Sequence, residues 1–158
     1  MLKVNRKVEY GLIALRHMHG KPRENITSVR EICNLYGIPF DALAHVLSIL
    51  NAKGILKSEQ GTHGGYRLLE NLKNINLAEF IGMIEGQLAW IECARDEAEC
   101  KCGLMESCNI IGPMHDFNRR LIMFLKSITL DELLQLNSDL INISRKPADS
   151  GSSAQPSH

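Results

Sequence analysis

Four of the five cysteines, Cys93, Cys100, Cys102 and Cys108, lie within the sixteen-residue stretch CARDEAECKCGLMESC. Thiolates bind zinc, copper(I) and iron-sulfur clusters, and a loop carrying three or four of them can close around a soft metal without a preformed pocket. The gaps between them are six residues, one residue and five. Zinc knuckles and ribbons usually set two cysteines two residues apart, so that both thiolates share one turn, and the spacing here argues against structural zinc. A disulfide framework is the other ordinary use of clustered cysteines. The odd count and the lack of an apolar leader or membrane-length run instead predict a reducing, cytoplasmic setting with no membrane association. Cys33, remote from the cluster, reads as a small buried hydrophobe.

The chain that must position this loop has 158 residues, 44% of them hydrophobic, enough to bury one core and leave a helix protruding. Its formal charge of zero hides an asymmetry. Residues 1–73 carry 11 Lys and Arg against 6 Asp and Glu, a balance of +5, while 74–158 carry 7 against 12, a balance of −5. A basic half on a neutral chain suits a polyanionic partner. No Ser/His/Asp order, phosphate-cradling loop or paired-carboxylate site stands out, so an enzyme is not expected.

Apolar residues at helical spacing from Val4 to Met18 predict a first helix, ended by Gly20 and Pro22. Thr27 or Ser28 then sits at an N-cap, with Glu31 three residues after Ser28 as in a capping box, and SVREICNLYG closes at Gly37. Pro39 opens a third helix whose buried stripe is Leu43, Val46, Leu47 and Leu50. Two helices joined by a short turn containing glycine make a helix-turn-helix. The pattern then changes to extended runs, ILKSE and YRLL, around a glycine-rich turn, which predicts a two-stranded wing. NLAEFIGMIEG is a short helix capped by Asn76, and beyond the cysteines Pro113 begins a long helix followed by LDELLQL with Thr129 at its cap. The long helix carries Met114, Phe117, Leu121, Phe124 and Leu125 on one side, extended by Ile122 and Met123. So wide a stripe predicts pairing with the same helix of a second subunit.

The expected fold is therefore mainly α with a small β-wing: a winged helix-turn-helix plus a long C-terminal dimerisation helix. The expected divisions are a DNA-binding domain at 1–73, a connecting helix and cysteine loop at 74–110, dimerisation helices at 111–143 and a disordered tail at 144–158. In the first of these, the start of the third helix, with Pro39, Phe40, Asp41 and His45, would enter the major groove. Phe40 could touch a thymine methyl, and Asp41 and His45 could face base edges. Ser28 and Arg30 would meet phosphates, as would some of Arg6, Lys7, Lys53 and Lys57. Thr62 and His63 would occupy the tip of the wing.

GIPFDALAHVLSILNAKGILKSEQGTHGGYRL, the cysteine loop and ITLDELL together resemble the Rrf-two type of bacterial transcription regulators over residues 1 to 136. That family includes an iron-sulfur cluster regulator and a nitric-oxide-sensitive repressor. The resemblance implies a homodimer on a palindromic double-stranded DNA operator and a cluster held by three cysteines and a fourth, weaker ligand. Cys102 and Cys108 match the family's last cysteine pair, and Cys93 matches the first with a gap a few residues longer than in the cluster regulator. Cys100 is supernumerary: an alternative ligand, a fourth ligand or a spectator. Where the cluster regulator has a histidine ligand this chain has Ile111, whereas the repressor's carboxylate near the start of the first helix, supplied in trans, matches Glu9. The resemblance thus implies a 4Fe-4S cluster, favoured over 2Fe-2S, on Cys93, Cys102, Cys108 and Glu9. His17 and His115 are minor candidates, and Gln60 replaces the family's wing arginine. The rival readings are a zinc-stabilised regulator of the same fold and a thiol switch using Cys100 and a neighbour.

Overall fold

The computed structural model of the chain describes residues 5–61, 64–86, 88–94, 103 and 107–135. Thr62, His63, Cys100, Cys102 and the expected tail at 144–158 lie outside the described residues.

Helix α1 spans Arg6–His19 and is capped by Asn5, whose side chain accepts from the Lys7 N–H at 3.1 Å. Its buried stripe is Val8, Gly11, Ala14, Leu15 and Met18. Leu12, expected in that stripe, is only part-buried, and Gly11 takes the innermost place instead. A Cβ at Gly11 would lie 2.8 Å from the Phe80 ring and 3.3 Å from Val46, so the missing side chain is what lets three helices close together.

Helix α2, Val29–Tyr36, starts on the Ser28 cap and stops at Gly37, which adopts φ 68°, a conformation glycine takes without Cβ strain. Cys33 corrects the expectation of full burial. It is half-buried at the edge of the core, because on this short helix only Ile32 points fully inward. Helix α3, Phe40–Ala52, follows Pro39, and Leu43, Val46, Leu47 and Leu50 are completely buried against α1 and α2. Strands β1, Leu56–Glu59, and β2, Gly65–Leu68, pair antiparallel from Leu56↔Leu68 to Glu59↔Gly65. Thr27 adds a bridge to Tyr66, so the wing is tied to the residue just before the α2 cap.

After a 3-10 turn at Leu72–Asn74, α4 spans Leu77–Glu85 with a complete capping box between Asn76 and Glu79. A second 3-10 turn, Glu92–Ala94, precedes α5, Ile111–Lys126, and α6, Leu130–Gln135. α5 begins two residues before Pro113, which falls in the first turn, where its missing N–H has no helical acceptor to lose. The apolar stripe expected on α5 divides. Leu125 turns into the core together with Asn118, while Phe124 and Met123 are 61% and 62% exposed. Backbone bonds close the base of this region: Leu77 N–H donates to the Ile128 carbonyl, and Leu130 N–H to that of Ile75, both at 2.9 Å. Buried Asp131 then fixes α6, accepting from Gln135 at 2.7 Å and meeting His19 of α1 at 3.4 Å. Among the described residues no helix is long and apolar enough to cross a membrane.

Candidate nucleic-acid interface and cysteine loop

The winged helix presents an exposed edge that carries apolar as well as charged side chains. Pro39, Phe40, Asp41 and His45 are all exposed on the first turns of α3, and Asp41 and His45, four residues apart, share one side of the helix. The core-facing leucines of α3 fix that orientation, since turning the helix would expose them. Arg30 is exposed in the first turn of α2, and Ser28 is half-buried with its hydroxyl accepting the Glu31 N–H at 3.1 Å. Lys57 is exposed on β1, opposite Arg67 of β2, and Arg67 is held by Glu59 at 3.1 Å. The predicted residues of α2, α3 and β1 therefore come together on one winged-helix unit.

A group of side chains that spacing alone does not reveal lies behind this edge. Glu31 accepts from His17 Nε2 at 2.9 Å and from Lys21 Nζ, and His17 Nδ1 meets the Tyr36 hydroxyl at 3.2 Å. The Lys21 ammonium, and then His17, hold the Glu31 carboxyl below its ordinary range. His17, considered above as a minor metal ligand, has both nitrogens engaged here and is withdrawn from that role. No periodic signal marks the group, because its members meet across a turn rather than along one helix.

Of the cysteines, Cys93 sits in the 3-10 turn at Glu92–Ala94 and Cys108 three residues ahead of α5. Both are half-buried and unpaired. The turn packs against α5, and the Trp90 backbone N–H donates to buried Asn118 at 2.9 Å, which anchors the start of the loop to that helix. Beside it an open cleft of about 540 Å³ is lined by Ala94 and by His115, Arg119 and Lys126 of α5. Asp116, which also lines it, is bound by Arg119 and Arg120, and these guanidinium groups hold its carboxyl low. Burial pushes the Cys33 thiol up, which suits an inert position. Glu9 stands on the first turn of α1, 43% exposed, with Arg6 at 3.3 Å. Among the described residues no three His, Cys, Asp or Glu side chains gather into a metal site. Two half-buried, unpaired thiols on either side of one loop are nevertheless of the donor type that ligates iron-sulfur clusters.

The family described as Rrf2, Iron-dependent Transcriptional regulator, matches residues 4–136. The chain is 26% identical over 132 residues to the HTH-type transcriptional regulator NsrR of Shouchella clausii, covering 84% of this chain and 88% of that one. Among solved structures, that of CymR, the global cysteine regulator of B. subtilis, aligns with a TM-score of 0.68 at 24% identity, over 87% of this chain and 99% of that one. IscR of T. potens aligns with a TM-score of 0.61 at 22% identity, over 93% and 94% of the two chains. These two likenesses bear out the winged-helix fold, and the match over nearly the whole described chain shows that the protein belongs to the Rrf2 family of transcription regulators.

Proposed function

We propose that the protein is a DNA-binding regulator, acting as a repressor and as a homodimer on a palindromic operator, whose affinity is set by an iron-sulfur cluster that responds to nitric oxide, redox or iron state. The observation that carries this reading is the pairing, in one chain, of an exposed α3 edge with two half-buried, unpaired thiols, one on a turn packed against α5 and one just ahead of it. Pro39, Phe40, Asp41 and His45 read bases, and Ser28, Arg30 and Lys57 grip phosphates. Thr62 and His63 extend the contact from the wing. With Gln60 in place of an arginine, grip on the minor groove is weaker.

Cys93, Cys102 and Cys108 hold the cluster, with Glu9 of the partner subunit completing the set and Cys100 as the substitute thiolate. A carboxylate is a hard ligand for iron, so the bound cluster would supply one iron that nitric oxide or oxygen can reach, which favours 4Fe-4S over 2Fe-2S. The Trp90–Asn118 bond joins the segment just ahead of Cys93 to α5 and would couple the bound state of the cluster to that helix. Glu9→Ala is expected to lower iron and sulfide content while the dimer persists; unchanged content and spectrum would remove Glu9 from the site. A thiol switch between Cys100 and a neighbouring cysteine is the second reading, favoured by Cys93 and Cys108 being unpaired.

The deciding experiment is the visible absorption spectrum and native mass of protein prepared without oxygen, before and after nitric oxide. A coloured dimer with one cluster per subunit that bleaches supports the sensor. A colourless dimer whose DNA affinity changes with thiol oxidation supports the switch, and a colourless dimer carrying zinc overturns both.

A further inference from the structure

Ser28 and Glu31 have the spacing of a capping box, but only half of one forms. Ser28 Oγ accepts the Glu31 N–H at 3.1 Å, whereas the Glu31 carboxylate turns away to His17, at 2.9 Å, and to Lys21. The same pattern closes in both directions at Asn76 with Glu79 and at Thr129 with Glu132. At Ser28 the competing partners are a cation and an imidazole, and charge-assisted bonds outweigh a second cap bond.

The resulting tie reaches far for so few residues. His17 extends from α1 to both ends of α2: Nε2 meets Glu31 in the first turn, and Nδ1 meets the hydroxyl of Tyr36, the last residue, at 3.2 Å. The two rings pack edge-on with centroids 5.7 Å apart. Lys21 also donates to Thr27 Oγ1 at 3.4 Å, and Thr27 bridges to Tyr66 of β2. One carboxylate therefore links α1, α2 and the wing.

We propose that Glu31 and His17 are positioning residues for DNA binding, fixing α2 against α1 and beside the wing so that α3 and the wing meet the duplex in one register. This rests on the DNA-binding reading above. It carries a signature that a purely structural contact lacks: rescue of binding by an amide that bridges the same two partners. His17, its side chain 11% exposed, is met by Glu31 and Tyr36 of α2, and by Lys21 through the shared carboxylate. With its Nε2–H donating to Glu31, its Nδ1 accepts the Tyr36 hydroxyl.

The test is fluorescence anisotropy of the full-length protein on a labelled mixed-sequence duplex, long enough for two half-sites about one helical turn apart. It is run near neutral pH at constant ionic strength, with thermal unfolding as the check on folding. His17→Leu and Glu31→Gln are expected to bind about tenfold more weakly, the loss of a charge-assisted bond. His17→Gln, whose amide can bridge the same partners, is expected to restore the affinity of wild type. Wild-type affinity in His17→Leu and Glu31→Gln would overturn the proposal. If His17→Leu fails to fold, wild-type affinity in Glu31→Gln overturns it alone. Wild-type protein that takes no duplex even at low salt would overturn the DNA reading itself, and this proposal with it.

Discussion

At Gly11 the face of α1 lies against the rings and methyls of two other helices, Phe80 and Ile84 of α4 and Val46 of α3. Phe80 is completely buried, so its ring has no solvent to move into. Gly11→Ala would gain helix propensity but force a Cβ to 2.8 Å from that ring. Overpacking of a closed core typically costs about 1–3 kcal/mol, more than the propensity gain, so urea unfolding should shift to lower denaturant. Glu31 sets a second expectation at the same scale. Lys21 and His17 hold its folded value below the ordinary 4.5, so its contribution to stability is present above that pH and is lost as pH falls through the folded value. The thermal midpoint of Glu31→Gln should therefore fall less steeply on acidification below 4.5 than that of wild type.

Helix ends account for most of what the sequence disclosed. Ser28, Gly37, Asn76 and Thr129 act locally, through side-chain oxygens or a positive φ within a few residues, and each terminates or starts its helix as the spacing predicts. Asn76→Ala should destabilise the fold by about 1 kcal/mol, measured by thermal or urea unfolding, because it removes the side-chain acceptor of the Glu79 N–H while leaving the backbone half of the α4 capping box. Features that depend on neighbours distant in sequence were not legible. The Ser28–Glu31 pattern could not announce that Glu31 would be taken by His17 and Lys21. Pro113 marked the start of α5 two residues late, since proline is accepted anywhere in a first turn. Spacing placed Leu125 and Phe124 on one stripe, yet only the first meets the core. The exposure of Arg30, Phe40, Asp41, His45 and Lys57 on α2, α3 and β1 was legible because a helix-turn-helix exposes fixed positions. The cysteines were legible as chemistry, but their spatial grouping depends on a loop that no periodicity records, and the proposed role of Glu9 requires a second subunit.

The whole molecule is a basic reading head joined to an acidic C-terminal half, with α5 exposing Phe117 and Phe124 one turn pair apart at 45% and 61%. Exposed aromatics so spaced on a long helix suit a matching helix of a second copy. Phe124→Glu is expected to halve the native mass in size-exclusion chromatography with light scattering and to weaken binding to a two-half-site duplex, while leaving the helical content unchanged. The backbone bonds joining Leu77 to Ile128 and Ile75 to Leu130 have a further consequence. They pin the two ends of everything from α4 to α5, so the length of chain spanning the cysteines is uncoupled from the frame that carries it. Lengthening a closed loop is entropically inexpensive, about 0.6 kcal/mol for each doubling. The gap after Cys93 can therefore lengthen or shorten over evolutionary time without displacing the winged helix.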